Sequence, residues 1–195
     1  MLNKYFNDNS KNKNIIIGKF VLEKKKLNDI SFYKSTLKNI SITNSNLKDF
    51  EIILSKLETC NFSNSEFKNL FLKQTLIQNS KVTGADFAET IIKNVKIDNS
   101  KLNLTNFKFA NIENTIFKNC DIKNSDFHGV KLKNVSFINC DLSEVNFSQA
   151  EFKNIDLRKS NIQNTIMDIN NFREITISPS QIILVANALG INIKN

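Results

Sequence analysis

The 195-residue sequence has no tryptophan, one proline, four glycines, one histidine and three cysteines. So little glycine and proline excludes a collagen-like chain and a low-complexity disordered chain. No apolar run approaches the roughly 20 residues that a membrane-spanning helix needs. The N-terminal stretch has only Ile15–Ile17 as an apolar core and no small-residue cleavage site, so it is not a credible signal peptide. We therefore expect a cytoplasmic protein with no membrane partner.

Histidine and cysteine are too few and too widely spaced for a metal or nucleophilic site. Cys60, Cys120 and Cys140 are separated by multiples of twenty, which is neither a metal nor a redox spacing. His128 has no second histidine to act with. We expect no catalytic residue, no metal and no cofactor, and predict that the protein is not an enzyme. The cysteines are predicted to be small reduced core residues, although distance alone would permit a disulfide between Cys120 and Cys140.

What the sequence does contain is a five-residue repeat. From Ile17 to Ile177, every residue whose number ends in 2 or 7 is Leu, Ile, Phe, Val or Met, with no insertion. An α-helix advances about 100° per residue and a strand alternates its faces, so neither keeps a five-residue spacing on one side. A chain that turns a corner within every five residues does, and this pattern predicts a solenoid with short sides.

The residues around each apolar centre follow the same period. Residues ending in 0 or 5 are mostly small or apolar, and we predict that they form a second inward position. A serine or threonine there needs a partner for its buried hydroxyl, most simply a backbone carbonyl. Residues ending in 4 or 9 are often asparagine, which tolerates left-handed backbone, so they are predicted to form the corners.

Four sides per coil are predicted, because sequence similarities recur every twenty residues. The sequence FKNCDI at Phe117 returns as FINCDL at Phe137. The 33 apolar centres then give about eight coils, or a rod about 40 Å long at roughly 4.8 Å per coil. Phenylalanines at intervals of twenty predict a ladder of stacked rings in the core, formed by Phe67, Phe87, Phe107, Phe127 and Phe147.

The net charge of +8 raises the question of a nucleic-acid ligand. Sorted by predicted side, the charge is diffuse, with two sides at about +3 each, and no nucleic-acid groove is favoured. One side, which contains the phenylalanine ladder, has seven carboxylates against four lysines, a net charge of −3. We call it the acidic side. Its carboxylates are Asp29, Asp49, Glu66, Asp86, Glu89, Asp126 and Asp168.

A few predicted outward positions are apolar. Ile53, Phe71 and Ile91 belong to one side in successive coils, and Leu54 and Leu76 lie nearby. Contiguous exposed apolar area marks interaction sites, whereas scattered surface hydrophobes are common in any protein. The sequence leaves both interpretations open.

After Ile177 the repeat gives way to a predicted helix. Ser178 suits the N-cap, Pro179 the first helical position, and Gln181 completes a capping box. Gly190 suits the residue after the helix. The stretch between is apolar on nearly every face, so one face would cover the solenoid end and the others would need a second molecule. The predicted homodimer interface is Gln181, Ile182, Ile183, Leu184, Val185, Ala188, Leu189, Ile191 and Ile193.

The repeat resembles that of the pentapeptide-repeat proteins, in which a small residue precedes Asn or Asp and then Leu or Phe. It is matched by ADF at Ala85, SDF at Ser125 and CDL at Cys140. The resemblance covers residues 17–177 and implies an all-β solenoid, a right-handed quadrilateral β-helix. Residues 1–16 would form an N-terminal cap, and residues 178–195 a C-terminal helix and short strand.

The C-terminal segment is similar to the dimerisation helix of Qnr-type pentapeptide-repeat proteins. The matching residues are Gln181, Leu184, Leu189, Gly190 and Ile191, followed by Ile193. This resemblance implies a bacterial homodimer that protects DNA gyrase or topoisomerase IV from quinolones or other poisons by imitating duplex DNA. The acidic side would then bind the enzyme. The alternative is a solenoid scaffold for an unrelated protein partner.

Overall fold

The computed structural model describes residues 2–189 and 191. The chain forms a parallel β-solenoid of about eight coils, followed by one short α-helix. The predicted all-β solenoid is therefore confirmed.

Most strands are three residues long, because the chain turns a corner every five residues. Helix α1 is Ile182–Ala188, and 3-10 helices span Leu2–Phe6, Ile169–Arg173 and Pro179–Gln181. The strands are β1 (Lys11–Lys13), β2 (Ile16–Glu23), β3 (Lys26–Asn28), β4 (Ser31–Tyr33), β5 (Thr36–Thr43), β6 (Asn46–Lys48), β7 (Glu51–Ile53), β8 (Lys56–Glu58), β9 (Glu66–Lys68), β10 (Phe71–Lys73), β11 (Leu76–Gln78), β12 (Ile91–Lys93), β13 (Lys96–Asp98), β14 (Asn111–Glu113), β15 (Ile116–Lys118), β16 (Lys131–Ile138), β17 (Asn146–Phe147), β18 (Glu151–Asp156), β19 (Ile166–Met167) and β20 (Ile175–Thr176).

Paired strands run parallel and join residues twenty positions apart, as Phe71 does with Ile91. In one coil the four sides are centred on Phe107, Ile112, Phe117 and Ile122, and we number the sides in that order. The second and third sides join in one 15-stranded sheet, because β16 crosses the corner between them. The first side contains two smaller sheets, β3-β6-β9 and β17-β19, connected by isolated bridges from Glu66 to Asn146. On the fourth side, β2 pairs with β5 in the first coils, and isolated bridges from Ser41 to Asn161 continue the pairing.

The corners are formed by left-handed residues. Every residue whose number ends in 4 or 9, from Asn9 to Asn164, has φ between 45° and 66°. Asparagine is the commonest of them, as predicted. The β-branched Thr59 also adopts this backbone, at 54°, although such a side chain disfavours it. The pairing of neighbouring coils therefore sets the corner geometry even where the local residue does not favour it.

The second inward positions form polar ladders between coils. The amide of Ser35 donates to the hydroxyl of Ser55 at 3.0 Å, and that hydroxyl donates to the carbonyl of Ile53 at 2.8 Å. Among the described residues, no buried side-chain nitrogen or oxygen lacks a hydrogen-bond partner. The predicted carbonyl partner of the buried hydroxyls is therefore confirmed.

The three cysteines are buried and free. The Cys140 thiol lies 3.4 Å from the carbonyl oxygen of Phe117, in donor position, like the serine hydroxyls. Burial raises the pKa of Cys60, which favours its thiol form. The prediction of small reduced core residues is confirmed, and no disulfide forms.

The N-terminal end of the core is closed by an aromatic plug. Phe6, at the end of its 3-10 helix, stacks on Phe20 with ring centroids 4.8 Å apart and lies 5.3 Å from Phe32. Asn12 occupies an inward centre, where its amide nitrogen donates to the carbonyl of Tyr5 at 2.9 Å. Because β1 already pairs with β4, the solenoid begins inside the segment predicted as a cap.

The C-terminal end departs from the repeat, which corrects the prediction of a regular pattern up to Ile177. The last left-handed corner is Asn164, and a 3-10 helix spans Ile169–Arg173. Within it Asn171 is buried, whereas Phe172, the predicted inward centre, is only half-buried. The Asn171 amide donates to the carbonyl of Ala150 at 2.8 Å. An amide satisfies this buried oxygen and a phenylalanine could not, which explains the change of register.

Candidate partner-binding surfaces

The phenylalanine ladder lies beneath the acidic side and gives it a rigid support. The ring centroids of Phe67, Phe87, Phe107, Phe127 and Phe147 follow one another at 4.9, 5.2, 4.7 and 5.2 Å. The first three pairs are stacked and the last is tilted. The outward residues of the first side therefore repeat on a fixed column.

All seven predicted acidic residues lie on the first side or at its corners. Asp29, Asp49 and Glu89 are left-handed corner residues. Glu66, Asp86 and Asp126 stand one residue before an inward phenylalanine, and Asp168 precedes the 3-10 helix Ile169–Arg173. The structure thus brings together the residues that the sequence assigned to one side.

Several of these carboxylates also hold the backbone. Asp86 accepts the amide of Ala88 at 2.9 Å, and Asp126 accepts the amide of His128 at 3.0 Å. Side-chain amides of the next coil bind the same oxygens, Asn106 to Asp86 at 3.0 Å and Asn146 to Asp126 at 3.1 Å. Sequence reasoning missed this structural role, although the Asp-x-x spacing is that of an Asx-turn.

The charge of the acidic side is only partly neutralised. Asp29 pairs with Lys11, Asp49 with Lys48 at 3.8 Å, and Asp126 with Lys108 at 3.1 Å. Within the part of the chain that the structure describes, the other acids of the central coils form no ion pair; these are Glu66, Asp86 and Glu89. They line a groove of about 160 Å³, to which Lys68 and Ala88 also contribute.

On the lysine-rich second and third sides, carboxylates lie close to several of the lysines and partly neutralise their charge. Glu113 lies 2.9 Å from Lys133 and 3.6 Å from Lys93. The hydrogen bond from Lys133 and its charge hold the pKa of Glu113 below its ordinary value. On the third side, Glu58 lies 3.0 Å from Lys56 and 3.5 Å from Lys38. The positive excess is therefore interspersed with carboxylates.

Helix α1 is docked on the solenoid end by one polar residue. Ser178 and Gln181 form the predicted capping box on the 3-10 helix Pro179–Gln181, which begins with Pro179 and leads directly into α1. Gln181 is buried, and its amide nitrogen donates to the carbonyls of Leu157 and Ser160, each at 2.8 Å. Leu184 and Val185 pack against the core.

The outer face of this segment is apolar. Ile182 and Ile183 are 56% and 59% exposed, and Leu189 and Ile191 are also exposed. Gly190, Ile193 and the side chain of Ala188, together with the predicted short strand, lie outside the described residues. The described part of the predicted dimer interface thus divides into a docked half and an exposed half.

On the second side, two of the apolar outward residues noted in the sequence lie side by side. Phe71 and Ile91 pair across neighbouring coils, and Ile53 pairs with Lys73. Ile91 and the corner residue Leu54 are exposed, whereas Ile53, Phe71 and Leu76 are half-buried.

Two apolar residues that the sequence analysis missed bracket the acidic side. Leu104 and Phe109 are left-handed corner residues, 58% and 56% exposed. They stand at the two ends of the first side in the same coil. An apolar residue at a position ending in 4 or 9 was the available signal, because such positions are otherwise mostly polar.

The described residues contain no group of three His, Cys, Asp or Glu arranged to hold a metal ion. No helix among them is long and apolar enough to cross a membrane.

The family model for the pentapeptide repeat region matches residues 50–127 and 110–183. The chain belongs to the pentapeptide-repeat family. No curated protein sequence matches it. Among solved structures, it is similar to HetL, a pentapeptide-repeat protein involved in heterocyst differentiation regulation from the cyanobacterium Nostoc sp. The identity is 12% over 85% of this chain and 88% of HetL, with a TM-score of 0.45.

The chain is also similar to full-length QnrB1, a plasmid-mediated fluoroquinolone resistance protein. The identity is 18% over 90% of this chain and all of QnrB1, with a TM-score of 0.37. At these values, both similarities concern the solenoid fold alone.

Proposed function

We propose that this pentapeptide-repeat protein is a non-enzymatic, cytoplasmic bacterial homodimer that protects DNA gyrase or topoisomerase IV from quinolones or other poisons by imitating duplex DNA. The observation that carries the proposal is the C-terminal segment. Its sequence resembles the Qnr-type dimerisation helix, and its docked helix retains an apolar outer face.

The physical case for a dimer rests on that outer face. Ile182 and Ile183 point away from the solenoid that Leu184 and Val185 cover. Burying such side chains stabilises an interface by about 25 cal/mol per Å² of apolar area. A two-fold contact would bury the same face on both chains and would close without further addition.

The case for DNA mimicry rests on the acidic side. A two-fold pairing of helices would place this side on both arms of a rod about 80 Å long, at roughly 4.8 Å per coil. The groove contains three carboxylates, Glu66, Asp86 and Glu89, against one lysine, Lys68, and so retains a net negative charge. A DNA-binding groove is basic, so attraction to this side would be screened by salt.

The test neutralises the acidic side without disturbing its turns. Asn106 and Asn146 form the same turns as Asp86 and Asp126 through their own side-chain oxygens. The variant Glu66→Gln, Asp86→Asn, Glu89→Asn, Asp126→Asn should therefore fold. We expect it to lose protection in a gyrase supercoiling assay with quinolone, with weaker salt dependence of gyrase binding.

The matched control removes positive charge from the second side, as Lys93→Gln, Lys133→Gln, Lys153→Gln. It should protect gyrase as well as the wild type does. If the lysine variant loses protection and the acidic variant keeps it, DNA mimicry is the wrong mechanism.

A second candidate function is a scaffold for an unrelated protein, favoured by the apolar patch at Phe71 and Ile91 on the second side. This function predicts that Phe71→Lys, Ile91→Lys would abolish partner binding without affecting oligomeric state. A wild-type protein that neither binds nor protects gyrase would favour the scaffold.

A further inference from the structure

Phe109 is an exposed aromatic residue whose ring is nevertheless held in place. It lies over Gly129 of the next coil, so closely that a Cβ added there would stand 2.5 Å from two ring carbons. The ring also meets His128 edge-on at 5.5 Å, and His128 Nδ1 lies 2.9 Å from the Ser148 hydroxyl. The side chain is therefore preorganised although more than half of it contacts solvent.

The fold itself does not require an apolar residue at this corner. The same column contains Asn69, Glu89 and Gln149, all with the same left-handed backbone. Left-handed backbone is unfavourable for a residue such as phenylalanine and tolerated by asparagine. Asparagine would therefore adopt the backbone conformation of residue 109 more favourably than phenylalanine does.

The surroundings of Phe109 indicate what kind of surface it meets. The groove formed by Glu66, Asp86 and Glu89 lies in the adjoining coils of the same side. Asp126 lies in the next coil, paired with Lys108. Leu104 provides a second exposed apolar side chain at the opposite corner of the side. An apolar anchor surrounded by excess carboxylate is complementary to an apolar pocket surrounded by cations.

We propose that Phe109, with Leu104, anchors the acidic side to a basic protein groove that contains an apolar pocket. This rests on the proposed function, in which that groove belongs to a type II topoisomerase. Charge would attract and orient the two surfaces, and the rigid aromatic ring would supply the slow dissociation, as buried aromatic residues do at the centre of protein interfaces. Pure imitation of DNA provides no such contact, because a phosphate backbone has no exposed aromatic side chain.

The test replaces Phe109 with the residue that this fold prefers at corners. Phe109→Asn should fold and melt at or near the wild-type temperature. We expect it to bind gyrase at least roughly tenfold more weakly, with faster dissociation and an unchanged salt dependence, because no charge is altered. The matched control is Leu54→Asn, which makes the same change at the corner between the second and third sides. It should bind gyrase as the wild type does.

A second variant keeps Phe109 but removes its support. Gly129→Asn places a Cβ where the ring lies, at a corner that accepts asparagine elsewhere, and should also weaken gyrase binding. Equal gyrase binding by wild type, Phe109→Asn and Gly129→Asn would overturn the anchor while leaving the proposed function intact. Equal losses in Phe109→Asn and Leu54→Asn would also overturn it. A wild-type protein that neither binds nor protects gyrase would overturn both proposals.

Discussion

The two ends of the solenoid cover the exposed core in different ways. At the N-terminal end, Phe6 stacks on Phe20 and is itself buried, Tyr5 is half-buried, and Lys4 of the same 3-10 helix is exposed. At the C-terminal end, Gln181 holds a helix against the last coil, and Ile182 and Ile183 remain exposed on its outer face. Both ends cover the core. At the C-terminal end the covering segment itself exposes isoleucines, whereas near the N-terminal end the exposed apolar side chains, Ile16 and Val21, belong to strand β2 and not to the plug.

This difference shows that closing the core and presenting an interface are separate roles of a solenoid end. Covering the end of a parallel solenoid requires one apolar face and partners for its last carbonyls. Gln181, Leu184 and Val185 meet that requirement. The isoleucines on the opposite face contribute nothing to it, so we expect the two ends to respond differently to substitution.

The largest expected effect is removal of residues 178–195. This exposes the core end that α1 covers and removes the outer face, so we expect a monomer or an aggregate in place of a dimer, measured by light scattering. Ile182→Asn with Ile183→Asn changes the outer face alone and should give a stable monomer. A well-behaved monomer for the unmodified chain would contradict the dimer.

The next largest effect is a loss of stability on removing a core ring, either from the N-terminal plug or from the interior phenylalanine ladder. Phe107 has stacked rings on both sides, whereas Phe6 stacks on Phe20 alone and covers an end. Both substitutions to alanine should destabilise the protein by about 3–5 kcal/mol, with Phe107→Ala at the upper limit. Denaturant melts measure the cost. Lys108→Ala, one residue away and outward, should stay within about 0.5 kcal/mol. Equal costs for Phe107→Ala and Lys108→Ala would show that the inward register is wrong.

A smaller effect is expected at the residue that docks the helix. Gln181→Ala removes the donors to the Leu157 and Ser160 carbonyls and should cost about 1–3 kcal/mol. Dimer dissociation should shift to higher protein concentration, because α1 is less well held. The exposed Gln163→Ala in the last coil is the control, with an expected change within about 0.5 kcal/mol. Identical melting and dissociation curves for the two variants would contradict the role of Gln181.

The smallest effect concerns acid sensitivity near the C-terminal end. Arg158 binds both oxygens of Asp156, at 3.0 and 2.7 Å, and this hydrogen bonding lowers the pKa of Asp156. Because the pKa of Asp156 is lower in the folded protein than its unfolded value of about 4, the ionised carboxylate stabilises the fold above that value. This stabilisation is lost as the pH falls through the folded pKa. Asp156→Asn and Arg158→Gln should each flatten the fall of melting temperature below pH 4. If the melting temperature of Arg158→Gln falls with pH as steeply as that of the wild type, the ion pair is not the cause of the acid sensitivity.

The sequence was sufficient for the repeating part of the fold. The five-residue spacing of apolar centres required corners, and the asparagines marked where those corners lie. The ends were harder to predict, because Asn12 and Asn171 are buried polar residues whose partners, the carbonyls of Tyr5 and Ala150, are identified only by the folded chain. Phe172 fits the apolar pattern and is nevertheless half-buried, because the 3-10 helix Ile169–Arg173 changes its register.

The sequence predicted which surface residues share a column, but not what each of these residues does. Sorting charges by side placed Asp86 and Asp126 together, but their bonds to Asn106 and Asn146 depend on the contact between coils. Phe109 was missed because a corner residue was expected to be polar. Its fixed position depends on Gly129, twenty residues later, and no local pattern connects the two.

The twenty-residue register has a consequence for biosynthesis. At roughly 5–20 residues per second, a ribosome completes one coil about every 1–4 s. The end closed by Phe6 emerges first, and each finished coil offers a template edge to the next, since strands pair only with neighbours one coil away. Helix α1 follows every coil. The surface proposed to join two chains is therefore translated only after the solenoid, so that assembly waits for a completed rod.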